Sequence, residues 1–271
     1  MSIDVSGIKD GQRRMWSVGN YPDIARTIAS AGELVAERAA PAPGVSLLDV
    51  ATGSGNVAIP AALAGARVTG LDLTPQLLEV ARERAAAAGT EIEFVEGDAE
   101  ELPFAADSFD RVTSCFGVMF APRQQIAAGE LARVARPGAK VVVAAWTPEG
   151  LNGRMFGTVG SYMPTPPPEL KPPVMWGDED HVASLFAPSG AELTFERHFV
   201  TFEHDSAEEW LAYNERVLGP TILAKAALEP QGRWPELRGE LVKLYTDGNE
   251  AEDGSFRAKA EYLLTLATLP Q

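Results

Sequence analysis

Cysteine is almost missing from this chain: 271 residues hold one, Cys115, which excludes an internal disulfide framework and any metal site built from several thiolates. Histidine is nearly as scarce. His181, His198 and His204 are the only three, and none stands at a spacing with acidic residues that resembles a metal site, so no bound metal is expected. Apolar runs are short: none approaches the ~20 residues of a membrane-spanning helix, and Met1 to Asp10 has no basic start followed by an apolar core. The expected location is therefore the cytoplasm, with no membrane partner. Positive charge is in deficit as well, since 23 Lys and Arg face 38 Asp and Glu for a net charge of −15. Such a surface repels phosphate backbones, and nucleic acid is not an expected partner.

What is present describes a globular chain long enough to bury a sizeable core, with 45% hydrophobic and 23% charged residues. The most informative run is Leu47-Leu48-Asp49-Val50-Ala51-Thr52-Gly53-Ser54-Gly55-Asn56, an apolar strand that ends in a glycine turn and opens a helix. Glycines there let the backbone turn sharply and approach a ligand, while the first amides of the helix offer donors to a polar group. Taken alone, Gly53 to Ala58 also satisfies the dinucleotide fingerprint, with Asp72 at a suitable distance for a ribose. The run by itself fits NAD and other adenosine ligands alike.

Periodicity and punctuation extend the pattern. Strands are predicted near 45–50, 67–72, 91–96, 109–115 and 139–146, alternating with helices near 55–65, 75–88 and 123–135, the rhythm of a parallel sheet with helices on both faces. Helical spacing predicts one element from Asp23 to Ala40, closed by Pro41-Ala42-Pro43-Gly44. The Gly- and Pro-rich stretch 147–177 reads as an ordered loop or short helix over the ligand-binding edge. A helix over 178–186, a strand over 191–204 and helices over 206–246 follow. Local propensity makes the last element, near 256–268, a helix.

Arg67-Val68-Thr69-Gly70-Leu71-Asp72-Leu73, Phe94-Val95-Glu96-Gly97-Asp98-Ala99, Ser108-Phe109-Asp110-Arg111-Val112 and Glu130 to Gly138 follow the glycine run in order. Together they closely resemble class I S-adenosylmethionine-dependent methyltransferases, in particular the small-molecule type related to ubiquinone and menaquinone biosynthesis. The resemblance spans roughly Leu47 to Trp146. It implies a Rossmann-like α/β fold, doubly wound, with a mostly parallel seven-stranded sheet, an antiparallel last strand near 256–268 and a helical cap insertion. One methyltransferase domain is expected over 1–271, with an N-terminal helical segment (1–44), a cofactor-binding core (45–146), a substrate-side loop (147–177) and the cap (206–246).

The resemblance further implies S-adenosylmethionine as cofactor and S-adenosylhomocysteine as product. Asp49 would lie near the methionine ammonium, directly or through water. Ala51, Gly53 and Gly55 would let the cofactor pass against the backbone, Asp72 would take the ribose hydroxyls and Leu73 would pack on adenine. Asp98 and the Ala99 amide would meet the adenine edge, and Phe116 would close the methionine end. The expected acceptor is a small apolar or aromatic molecule bordered by Trp16, Tyr21, Phe120, Trp146 and Trp176, with monomer and homodimer both open. Should a base be needed, His181, His198 and His204 are the candidates. The rival readings are an NAD-dependent oxidoreductase and a catalytically silent S-adenosylmethionine-binding regulatory protein.

Overall fold

The computed structural model describes residues 4–271, so the first three residues of the expected 1–44 segment lie outside the described residues. A helix the periodicity does not signal comes first. α1 (Val5–Ser17) is capped by Asp4, whose carboxylate accepts from the Gly7 amide at 3.0 Å, and it buries no residue of its own. Next come α2 (Tyr21–Thr27) and α3 (Ala29–Ala39), where one element was expected. The break falls at Ile28 (φ −113°, ψ 12°), and the Ala25 carbonyl in the last turn of α2 accepts from Asn56 Nδ2 at 2.7 Å.

The core then alternates as the pattern predicts: β1 (Ser46–Val50), α4 (Ala58–Leu63), β2 (Arg67–Asp72), α5 (Pro75–Ala87), β3 (Ile92–Glu96), β4 (Phe109–Cys115), α6 (Gln124–Val134) and β5 (Ala135–Trp146). Pro75 opens α5, where its fixed φ suits the first helical turn, and Thr74 precedes it without a side-chain capping bond. β5 starts earlier than predicted because its pairing with β4 shifts register between Phe109 and Arg111, with Gly138 at φ +72° inside the irregular stretch. The stretch after β5 contains a full helix, α7 (Leu151–Tyr162), before a 3-10 turn over Pro173–Gly177 and α8 (Glu179–Phe186). β6 (Glu192–His204) leads into the cap helices α9 (Ala207–Val217), α10 (Gly219–Leu228) and α11 (Trp234–Asp247), and β7 (Phe256–Thr268) ends the fold.

The seven strands lie in the order β3-β2-β1-β4-β5-β7-β6. β1 through β5 are parallel, whereas β7 runs antiparallel between β5 and β6. Local helix propensity near 256–268 is therefore overridden: β7 pairs along its whole length with β6, and its buried Phe256, Ala258, Ala260 and Tyr262 alternate with neighbours that are more exposed. Strand order reverses between β1 and β4, where an open α/β sheet forms a crevice beyond the carboxyl ends of its strands. β1 is buried along its full length, so the crevice opens over a rigid centre.

Candidate active site

Past β1 the chain turns left-handed three times, at Ala51 (φ 54°), Gly53 (φ 55°) and Gly55 (φ 88°). The Gly53 amide donates to Asp72 Oδ2 at 2.8 Å, and the Thr74 amide donates to the other oxygen of that carboxylate at 2.8 Å. Arg84 on α5 clamps the same turn, reaching the Ser54 carbonyl at 2.7 Å and Asn56 Oδ1 at 2.9 Å. A second turn at the end of β4 takes Phe116 to φ 54°, and a Cβ on Gly117 would come within 2.5 Å of the Ala51 Cβ. Left-handed non-glycine residues are strained and persist where the surroundings over-determine them. Here two such residues flank one crevice.

That crevice holds about 670 Å³ of atom-free space, part of it open to solvent. Gly53 and Asp72 lie at the strand ends, Leu73, Ala99 and Phe116 form walls, and α1 contributes Lys9, Gln12 and Trp16. The Lys9 ammonium reaches Asp98 Oδ2 and Glu100 Oε2 at 2.5 Å each, Gln12 donates to the Phe120 carbonyl, and Arg13 Nε donates to the Leu73 carbonyl at 3.4 Å. Glu100, 4% exposed, also pairs with Arg123 at 2.8 Å. Sequence reasoning missed Lys9, Gln12, Arg84 and Glu100. The one available signal for α1 was the capping residue Asp4.

Burial dominates the electrostatics. It raises the Asp72 carboxyl above its ordinary range against the pull of its two amide bonds. Asp49 is 1% exposed and its carboxyl is pushed up to about 7 by burial, although Thr52 and Thr113 each donate a hydroxyl to it, at 2.6 and 2.8 Å. It lines a small side cavity rather than the main crevice, together with Tyr21, Ala51 and Cys115. Burial, with Asp72 next, drives the Tyr21 hydroxyl upward, so it stays a neutral donor. Burial does the same to the Cys115 thiol, which borders this side cavity instead of simply filling the core.

A second cavity of about 580 Å³ joins the first at Trp16, Tyr21, Phe116 and Phe120. Beyond that junction its walls include Trp146, Phe156, Phe202 and Trp210. Phe116 stacks on Trp146 at 3.8 Å with planes 5° apart, and Trp16 meets Phe120 edge-on at 4.8 Å. Four of the five aromatic residues expected at the acceptor, Trp16, Tyr21, Phe120 and Trp146, are thus gathered around one space.

The fifth is not. Trp176 is 1% exposed, packs edge-on against Phe186 at 6.3 Å and lines neither cavity, so its expected contact with the acceptor is corrected to a place in the core. Gly55 also stands apart from both cavities: a Cβ there would meet Ile59 Cδ1 at 3.1 Å, and the residue serves the turn and its packing on α4. The histidines are dispersed. His181 Nε2 bonds Gln124 Oε1 at 2.7 Å, His198 Nε2 bonds Glu196 Oε2 at 2.7 Å, and the His204 ring sits beside those of Trp210 and Tyr213. None lines either cavity, which removes all three as bases acting there. No group of His, Cys, Asp and Glu able to hold a metal occurs among the described residues.

Comparison with known proteins matches residues 48–143 to a family model described as a methyltransferase domain. The chain belongs to the class I S-adenosylmethionine-dependent methyltransferases. This methyltransferase is 45% identical over 214 residues to an uncharacterised Mycobacterium tuberculosis protein, covering 78% of each chain. It is 42% identical over 104 residues to the demethylmenaquinone methyltransferase of Thermus thermophilus, covering 38% of this chain and 47% of that one. Its fold matches a Bacillus halodurans crystal structure described as a methyltransferase, with a TM-score of 0.63, 23% identity and coverage of 89% of this chain and 100% of that one. The stretch matched by the family model runs from β1 into β5. The methyltransferase therefore builds much of its aromatic cavity from segments outside that stretch, on α1, α2, α7 and α9.

Proposed function

We propose that this methyltransferase takes S-adenosylmethionine in the first cavity and transfers its methyl group to a small apolar or aromatic molecule in the second. The observation that carries this reading is the meeting of the two cavities at Trp16, Tyr21, Phe116 and Phe120, which puts a donor space and an acceptor space end to end. The residues fit a nucleoside: each Asp72 oxygen holds one amide hydrogen, leaving lone pairs for two ribose hydroxyls, and Gly53 presents no side chain beside it. Leu73 and Ala99 supply an apolar slot for adenine, and Asp98 would share its carboxylate between Lys9 and the adenine amino group. When bound, the cofactor supplies an electrophilic methyl on a sulfonium. The chain's part is alignment, and holding two reactants in line can lower a barrier by several kcal/mol, on the order of 7–11 at best.

Thermal denaturation separates this reading from its NAD rival: S-adenosylhomocysteine should raise the melting temperature and NAD should not. The Asp72→Ala variant should fold normally and bind S-adenosylhomocysteine about ten- to a hundredfold more weakly, the equivalent of roughly 1.5–3 kcal/mol for a charge-assisted contact. Calorimetry showing unchanged affinity would remove Asp72 from the site.

Asp49 gives a pH signature. Its carboxyl, raised to about 7 by burial, is neutral below that pH and anionic above it, and the ligand's ammonium is drawn to the anion. S-adenosylhomocysteine affinity should accordingly rise as pH passes through about 7, by less than tenfold per unit because Asp49 lies behind the crevice floor, and the slope should vanish in Asp49→Asn. The same shift has the opposite sign for the free protein. An acid held protonated in the fold contributes stability fully below its unfolded value near 3.8 and loses it as pH rises through about 7. Melting curves of the ligand-free wild type should therefore decline relative to Asp49→Asn across that window.

A further inference from the structure

The aromatic cavity is lined without any charged side chain: no Asp, Glu, Lys, Arg or His reaches it. Its polar groups beyond the junction are few, and two of them are amides, Asn152 on α7 and Asn214 on α9. Asn214 is 2% exposed, and neither amide has a side-chain or backbone hydrogen-bond partner among the described residues. Both belong to the acceptor cavity alone, whereas Tyr21 belongs to the cofactor cavity as well. The amides thus mark the part of the cavity that the cofactor space does not share, and Tyr21 marks the part that it does.

From this placement we infer that Asn214, supported by Asn152, selects the acceptor, and that the site takes a flat molecule lacking phosphate and carboxylate groups while offering one neutral hydrogen-bonding group to the amides. The inference rests on the proposed methyl transfer to a small molecule and narrows its substrate class. An anion entering this space gives up its hydration and finds no opposite charge, which neither amides nor the electron-rich aromatic faces replace. A molecule with no polar group at the far end leaves Asn214 buried and unpaired once the cavity is filled. Sites built around a hydrogen bond reject analogues that lack it far more strongly than apolar walls reject a small change of size. Neutral polar acceptors satisfy both conditions at once.

Calorimetry with four probes of one ring system tests this: 2-naphthamide, 2-naphthoate, 2-ethylnaphthalene and 2-naphthylmethylammonium, each titrated with and without saturating S-adenosylhomocysteine. The amide should bind wild-type protein at least tenfold more tightly than the carboxylate of nearly the same shape, and more tightly than the hydrocarbon. Asn214→Leu should abolish the preference for the amide over 2-ethylnaphthalene while retaining the hydrocarbon, and Asn152→Leu should reduce it in part. Asn214→Asp should invert the charge preference, admitting 2-naphthylmethylammonium ahead of 2-naphthamide. Equal binding of naphthoate and naphthamide, no binding of naphthamide in the millimolar range, or an unchanged preference in well-folded Asn214→Leu would each overturn the assignment. The titrations without S-adenosylhomocysteine keep the two levels apart. Failure of S-adenosylhomocysteine to bind strikes the methyltransferase mechanism, and failure of the amide preference strikes the selector role alone.

Discussion

Gly53→Val should abolish S-adenosylhomocysteine binding, weakening it at least a hundredfold in a protein whose circular dichroism and melting remain those of a folded chain. Three effects act on one residue. Its φ of +55° lies where a β-branched residue is a genuine outlier, so the turn would either carry strain of about 1–3 kcal/mol or move. A Cβ at this position would stand 3.1 Å from the Tyr21 ring, and the two further methyl carbons of valine have to displace that ring toward the cavities or enter them. Any shift of the turn also moves the Gly53 amide, which fixes Asp72 at 2.8 Å. The ribose contact, the cavity floor and the Tyr21 junction would be lost together, which is why the effect should exceed that of Asp72→Ala. Near-normal binding in calorimetry would show that this turn does not touch the cofactor.

Trp176→Ala should destabilise the protein by about 2 kcal/mol and leave the affinities for cofactor and acceptor within about twofold for the folded fraction. Truncating a buried tryptophan costs about 3–5 kcal/mol through lost burial and the void left behind. A partial offset is specific to this site: the Trp176 indole N–H is buried with no hydrogen-bond partner, and removing an unmet donor returns about 1–3 kcal/mol. Trp176→Phe separates the two terms. It keeps a ring against Phe186 and drops the unmet donor, so it should lie close to wild type in denaturant melts. Loss of acceptor affinity in Trp176→Phe without loss of stability would return this residue to the acceptor wall.

The strands were legible because their signals are local. β1, β2 and β4 match their predicted limits to within a residue, since apolar runs bounded by Gly, Pro and Asp punctuate a parallel sheet clearly. The family resemblance, laid on those strand ends, implied cofactor contacts for Asp72, Leu73, Asp98, Ala99 and Phe116, and these five line one crevice. What escaped lacks such a signal. α1 buries nothing, so no apolar stripe announces it, and with it went Lys9 and Gln12. α7 carries Gly153, Gly157 and Gly160 and resembles a loop by composition, yet a Cβ at Gly153 would come within 2.1 Å of the Thr147 carbonyl, so close packing against the preceding chain explains that glycine. Trp176 shows the converse limit. An aromatic residue in a proline-rich stretch reads equally well as cavity wall and as core, and only three-dimensional placement among Phe186 and its neighbours separates them.

α1 lies along the crevice through four polar ties, two from Lys9 and one each from Gln12 and Arg13, and none of its residues is buried. A cover of this kind sets the tempo of exchange as well as its strength. Contacts on the floor, such as those of Asp72, exist only after the ligand has arrived, and they govern its residence time. If a ligand enters and leaves past α1, these ties part in both directions, and loosening them would speed arrival and departure together while leaving much of the equilibrium untouched. Under the proposed function, Lys9 and Gln12 would then act on turnover through release of the spent cofactor.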